Sequence, residues 1–320
     1  MTLESWVVVS HEPEGEEVQP SATAPHHDCW KTFEPSPVDD SDESNHKQEC
    51  IFAGLLIPGH GEPIPHAAVG ISSTNGSITF VGPQSQLPEW IALLTSIYVR
   101  YLLPGLWDCH THFIGVTNVD FPDLLHTHPV AMGASIARGM HESLMTGFTS
   151  VRGVGSYAAE VAPLVEANLI LGPHVFGAGA AIGIMGGSCD ACTLPADFVY
   201  SRQGISSSGQ HAWAGVTGLV ITDGVEECRL AVRQQIRRGA RCIKAVATGG
   251  VLSTTDDRKF RQYSGEELSI LVQEASLQGR SVAVHAHGKD DTMAAIRAGA
   301  HTIEHTQLST EATLTTRRQS

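Results

Sequence analysis

From Leu102 onward the chain repeats one unit: a short apolar strand, a glycine-containing loop, and a helical stretch that ends in Gly before the next strand. The segments GFTSVRGV, LGPHVFGAG, GARCIKAVATGG, GRSVAVHAHG and GAHTIEHT each open on or near a helix-terminating glycine. Strands alternating with helices at this spacing form βα units, and βα units lay their strands parallel. With LLPGLWDCHTH counted first, the sequence predicts six such strands, whereas a closed (β/α)8 barrel has eight. The expected fold is therefore α/β, an incomplete (β/α)8 TIM-type barrel over residues 102–308. Two helix starts carry capping boxes, Asp223 with Glu226 and Ser264 with Glu267.

Residues 1–48 are expected to form a disordered acidic arm, because residues 11–48 are rich in Glu, Asp, Pro, Ser and His without a sustained apolar period. The opening MTLESWVVVSHEPEGEE has an acidic flank and a very short apolar run, so it reads as neither a secretory signal nor a membrane span. Residues 49–101 read as short strands with turn punctuation, the N-terminal part of a β-sandwich module, with a hairpin at Asn75-Gly76. Residues 309–320, rich in Thr, Ser and Arg, read as an irregular tail.

A barrel of this type concentrates its chemistry at the C-terminal ends of its strands. The first predicted strand ends in His110 and His112, two apart, a spacing that points both imidazoles to one side of a strand. The fourth carries Lys244 inside CIKAVA, the fifth ends in His285 and His287, and the sixth ends in His305. Imidazoles suit borderline metals such as zinc. An ammonium cannot ligate, and a lysine met at random is most often salt-bridged or snorkelling. The place of Lys244 in an apolar strand, level with the histidines, favours instead a lysine of lowered pKa. Its free amine can take up carbon dioxide to give a carbamate, an anionic oxygen ligand able to bridge two metals.

The chain has 17 histidines, and most are set aside. His126 and His128 precede Pro129 and read as solvated loop residues, His301 falls in the turn entering strand six, and His60, His66 and His211 lack partners in the chain. Cys189 and Cys192 form a Cys-x-x-Cys with no second pair at zinc spacing, and are read as coincidence. Seven cysteines, odd in number and scattered, are not a disulfide framework. A net charge of -14 argues against nucleic acid or an anionic membrane as partner and favours small molecules or peptides. The expected location is the cytoplasm, and homo-oligomerisation is left open.

Five positions in order on four strands, within the stretches AGLLIPGHGEPI, LLPGLWDCHTHF, IRRGARCIKAVATGGVLS and HAHGKDDTMAAIRAGAHTIEH, resemble the metal-dependent amidohydrolase superfamily. The resemblance runs from about Cys50 to His305 and is to the Xaa-Pro dipeptidase and imidazolonepropionase-like branch. It implies that His110, His112, Lys244, His285 and His305 hold two divalent metal ions, zinc by default, with Lys244 carboxylated as the bridge. It also implies that His287 contacts the substrate carbonyl or carboxylate. The implied reaction is attack of a metal-bridged hydroxide on an amide or peptide bond in N-acyl amino acids or dipeptides.

Three departures from the family pattern stand out. Gly153 occupies the acidic position of an Arg-Asp pair on strand two, Ser188 replaces a loop histidine, and the family's strand-eight general-base aspartate has no counterpart before Ser320. The last of these keeps a second expectation in view, a truncated, non-catalytic remnant that binds metal or a partner. A mononuclear deaminase is disfavoured, since a one-metal site needs no bridging carbamate.

Overall fold

Side-chain alternation builds the first part of the chain. Ile51 and Ala53 of β2 (Gln48–Leu56) point to the same side as Val69 and Ile71 of β3 (Ile64–Ser72) and Leu102 of β5 (Thr95–Pro104), and all are buried. Between β3 and β4 (Ile78–Pro83) the expected hairpin turns at Asn75-Gly76, with Gly76 at φ 68° and the Asn75 side chain accepting from the Ser77 amide. With β1 (Trp6–Val8) the sheet order is β1-β5-β2-β3-β4. The computed structural model describes residues 6–8, 48–92, 95–116, 127–203, 218–251 and 256–306. They divide between Leu106 and Trp107 into two units.

Two boundaries differ from the sequence reading. Trp6–Val8, assigned above to the arm, pairs antiparallel with Leu102–Pro104, an arrangement open to a short run of β-formers too brief to register as periodic. Gln48, also assigned to the arm, opens β2, while residues 1–5 and 9–47 and the 309–320 tail lie outside the described residues. Leu102 to Pro104 complete β5 rather than open the next strand, which is β6 (Leu106–Thr111). The break falls at Pro104-Gly105, where proline has no N–H to continue a ladder.

The second unit holds parallel strands with helices between them. β6, β7 (Phe148–Gly153) and β8 (His174–Gly177) form one sheet. β9 (Ala181–Gly183), β10 (Leu219–Ile221), β11 (Cys242–Val246), β12 (Ser281–Ala286) and β13 (Thr302–His305) form the other, in the order β10-β9-β11-β12-β13. The predicted third strand is thus split. Gly179 turns it at φ 68°, and the Gln235 side chain takes the Ala180 amide at 2.8 Å in place of a sheet partner. β10 was not foreseen, its three residues being too short for a pattern. The core between sheet and helices includes Ile182, Ile243, Leu268, Leu271 and Val284, with the buried Tyr263 hydroxyl bonded to Thr222 at 2.7 Å.

Glu267 decides both helix starts. At the helix Gly265–Leu277 the Ser264 capping box forms in full. The other carboxylate oxygen of Glu267 accepts from the Gly224 amide at 2.8 Å. Gly224, at φ 83°, is the N-cap of the helix Val225–Arg237. The expected Asp223–Glu226 box is therefore replaced by a carboxylate from a neighbouring helix. Ser264→Ala removes the acceptor of the Glu267 amide and is expected to lower stability by about 1 kcal/mol. An unchanged urea midpoint would contradict this. Among the described residues no helix is long and apolar enough to cross a membrane.

Candidate functional site

Which way each strand faces follows from its apolar residues. Ile243 and Ala245 of β11 pack into the helix-side core, so Lys244 points to the opposite face. Val282, Val284 and Ala286 of β12 do the same, which sends His285 and then His287 inward. Register sets their depth: Lys244 lies opposite Ala283, and Val246 opposite His285. On β13 Ile303 packs toward the helices, so alternation would aim His305 there too. The backbone prevents it, because His305 and Thr306 are left-handed, at φ 75° and 55°.

All five histidines come together. Ring centroids lie 5.1 Å apart for His110 and His112, 4.8 Å for His110 and His305, and 4.6 Å for His285 and His305. His287 stands 4.6 Å from His285 and 5.0 Å from His305. Lys244 is 2% exposed; burial first, and the Lys244 charge behind it, depresses the pKa of His112, His285, His287 and His305.

Hydrogen bonds choose the lone pairs. His112 Nδ1 lies 3.2 Å from the Gly155 carbonyl and His285 Nε2 lies 3.1 Å from the Gly249 carbonyl. A carbonyl only accepts, so those nitrogens carry the protons and leave His112 Nε2 and His285 Nδ1 as donors to a metal. His110 Nδ1 meets the Glu304 carboxylate at 2.7 Å. Burial drives His285 down to about 3 and His305 to about 4, so both rings are neutral at neutral pH. Burial likewise lowers the Lys244 amine to about 8 against the opposing pull of Glu304. Burial alone would raise Glu304, but the His110 hydrogen bond and the Lys244 and Arg152 charges carry it down to about 2.

Among the described residues three polar atoms here are buried without a hydrogen-bond partner: Lys244 Nζ and both ring nitrogens of His287. Orphaned donors and acceptors of this kind are expected where a ligand completes the site. Neutral imidazoles beside an amine able to become an anionic oxygen donor fit a pair of divalent ions. Among the described residues no three His, Cys, Asp or Glu side chains are set to hold a metal as they stand.

Sequence reasoning missed Arg152 and Glu304. Arg152 Nη2 bonds Glu304 at 2.7 Å, its Nη1 bonds Thr302 at 2.9 Å, and its Nε bonds the Cys109 carbonyl at 2.7 Å. The signal available was a pair of opposite charges inside two apolar strands, FTSVRG and TIEH.

Residues set aside stay apart from this cluster in their bonding. His128 caps the helix Pro129–Met145, His301 accepts from the Val282 amide, and none of the six described cysteines is in a disulfide. His126 and His211 lie outside the described residues. Ser188 donates to Asp256 at 2.6 Å, and Gln262 bonds the same oxygen at 2.7 Å, so the serine ties two loops together.

The sequence model of the amidohydrolase family matches residues 101–315. The chain belongs to the amidohydrolase family. Ochratoxinase from Aspergillus niger is 45% identical over 269 residues, 83% of this chain and 55% of the relative. The crystal structure of A. niger ochratoxinase overlays with TM-score 0.80 at 42% identity, covering 86% of this chain and 64% of that one. A prolidase solved with N-methylphosphonate-L-proline gives TM-score 0.72 at 29% identity, over 85% and 64% of the two chains. A Xaa-Pro dipeptidase with methionine bound in its active site gives 0.70 at 26%, over 84% and 64%. The chain therefore spans between 55% and 64% of the length of these relatives. Membership of the amidohydrolase family bears out the fold class expected from the βα repeat and the resemblance stated on its motifs.

Proposed function

We propose that this chain carries the metal-binding part of the active site of a hydrolase for amide or peptide bonds, acting on N-acyl amino acids or dipeptides. The observation that carries the reading is Lys244: a buried amine with no hydrogen-bond partner among the described residues and a pKa lowered to about 8, beside the clustered histidines. At that pKa a useful fraction is free base near neutral pH. Its nitrogen lone pair attacks dissolved carbon dioxide, an N–C bond forms, and one proton leaves to solvent, giving the carbamate. His110, His112, His285, His305 and carboxylated Lys244 would then hold two divalent ions, zinc by ligand type, with manganese and cobalt suited to the same set. When bound, such ions supply Lewis acidity and a water of lowered pKa.

The protein's own residues do the rest. The Gly155 and Gly249 carbonyls keep two imidazoles in the ligating tautomer. His287, buried and with both ring nitrogens unpartnered, is assigned to the substrate carbonyl or carboxylate. The named ligands of the relatives, an N-phosphonyl proline and methionine, support substrates bearing an amino-acid carboxylate.

The test is hydrolysis of a panel of N-acyl amino acids and Xaa-Pro dipeptides by the purified zinc-loaded chain, before and after chelation. Turnover that chelator abolishes and added zinc restores is the expected result. Zinc binding without any turnover across the panel would favour the non-catalytic reading instead.

A further inference from the structure

We propose that Glu304 is a positioning residue for metal binding: it accepts the Nδ1 proton of His110, leaving Nε2 as the ring's free lone pair, while Arg152 and Thr302 hold the carboxylate in place. The inference rests on the metal-centre reading above.

The geometry divides the two carboxylate oxygens. Oε2 meets His110 Nδ1 at 2.7 Å. Oε1 accepts from Arg152 Nη2 at 2.7 Å and from Thr302 Oγ1 at 2.9 Å. The Thr302 hydroxyl accepts in turn from Arg152 Nη1 at 2.9 Å. Arg152 Nε holds the Cys109 carbonyl at 2.7 Å, so one guanidinium fixes both the carboxylate and the backbone beside His110. Glu304 and Arg152 side chains are only 9% and 15% exposed, which makes this a largely desolvated network rather than a surface ion pair. A salt bridge alone would use Oε1; Oε2 is given to the imidazole. A carboxylate that grips the far nitrogen of a ligating histidine fixes its tautomer and orientation and makes the ring a better donor.

Gln at 304 can present one acceptor oxygen, so its amide N–H₂ must face either His110 or Arg152, both donors there. The experiment measures zinc affinity by competition titration on the full chain, for wild type, Glu304→Gln, His110→Ala and the double variant. Glu304→Gln is expected to weaken zinc binding about 10- to 100-fold. In the His110→Ala background the same change is expected to alter affinity by less than about twofold, because the residue acts through that ring. An equal loss in both backgrounds would mark Glu304 as merely structural and overturn the proposal, as would a Glu304→Gln affinity equal to wild type. Histidine ring ¹⁵N shifts of the metal-free protein give a second readout. Wild-type His110 protonated at Nδ1 is expected; protonation at Nε2 overturns the role. Should Glu304→Gln not fold, Thr302→Val removes one donor to Oε1 and is expected to weaken zinc binding in the same direction by less, no change counting against the proposal. A wild-type chain that takes up no zinc overturns the metal reading and this inference together, whereas wild-type uptake with an unaffected Glu304→Gln overturns this inference alone.

Discussion

Lys244→Ala and Lys244→Met are both expected to lose the second metal ion, measured as metal per chain after zinc loading in bicarbonate buffer and removal of excess zinc. Lys244 carries the one amine on β11. Neither replacement can form a carbamate. Methionine conserves most of the volume of lysine, so a loss shared by both variants reports chemistry rather than a cavity. The fold itself should tolerate the change. A buried amine without a hydrogen-bond partner is a liability to the metal-free protein, and an apolar side chain on this fully buried strand removes it. Methionine is thus expected to leave the metal-free melting temperature equal or higher, while alanine loses the packing of the lysine stem. A Lys244→Met protein that still held two ions per chain would remove Lys244 from the centre.

Gly153→Asp, which supplies the acid that the sequence resemblance led us to expect there, is expected to destabilise the protein by about 3 kcal/mol or more, combining overpacking with a buried charge. A Cβ at this position would lie 2.4 Å from the Ala158 Cβ, far inside van der Waals contact. Ala158 is fully buried and begins the helix Ala158–Glu166, so it cannot yield without moving that helix. A negative charge near a helix N-terminus is favourable by about 0.3–1 kcal/mol, too little to offset the clash. Gly153→Ala separates the contributions, because it brings the same Cβ without the charge. Denaturant midpoints of the two variants read the effect directly, and a Gly153→Asp protein as stable as wild type would show that the loop before Ala158 opens easily. The space a side chain would need at Gly153 is filled by the next helix.

Much of the centre was legible because its residues obey strand parity. His110 and His112 sit two apart, Lys244 is flanked by residues that face the helices, and His285 and His287 continue the inward side of β12. What could not be read depended on partners far along the chain. Arg152 and Glu304 are 152 residues apart, and nothing in either strand announces the other. Gln235 splits the third strand from 55 residues away, and Glu267 caps a helix whose N-cap lies 43 residues before it. The start of the barrel was placed too early because Leu102 serves the N-terminal sheet, and apolar character does not say which sheet a strand joins. Local patterns fixed direction and order; long-range hydrogen bonds fixed where elements begin, break and end.

His305 carries a lesson for anyone transplanting this centre to another scaffold. Its ring reaches the other four only because the chain leaves β geometry at that residue, at φ 75°. A left-handed non-glycine backbone costs about 1–3 kcal/mol wherever it is not held by its surroundings. Copied onto a straight, regular strand of a designed barrel, the same histidine would turn its imidazole outward to the helices and leave the cluster one imidazole short. The portable unit is therefore the histidine together with the twist in the main chain beneath it.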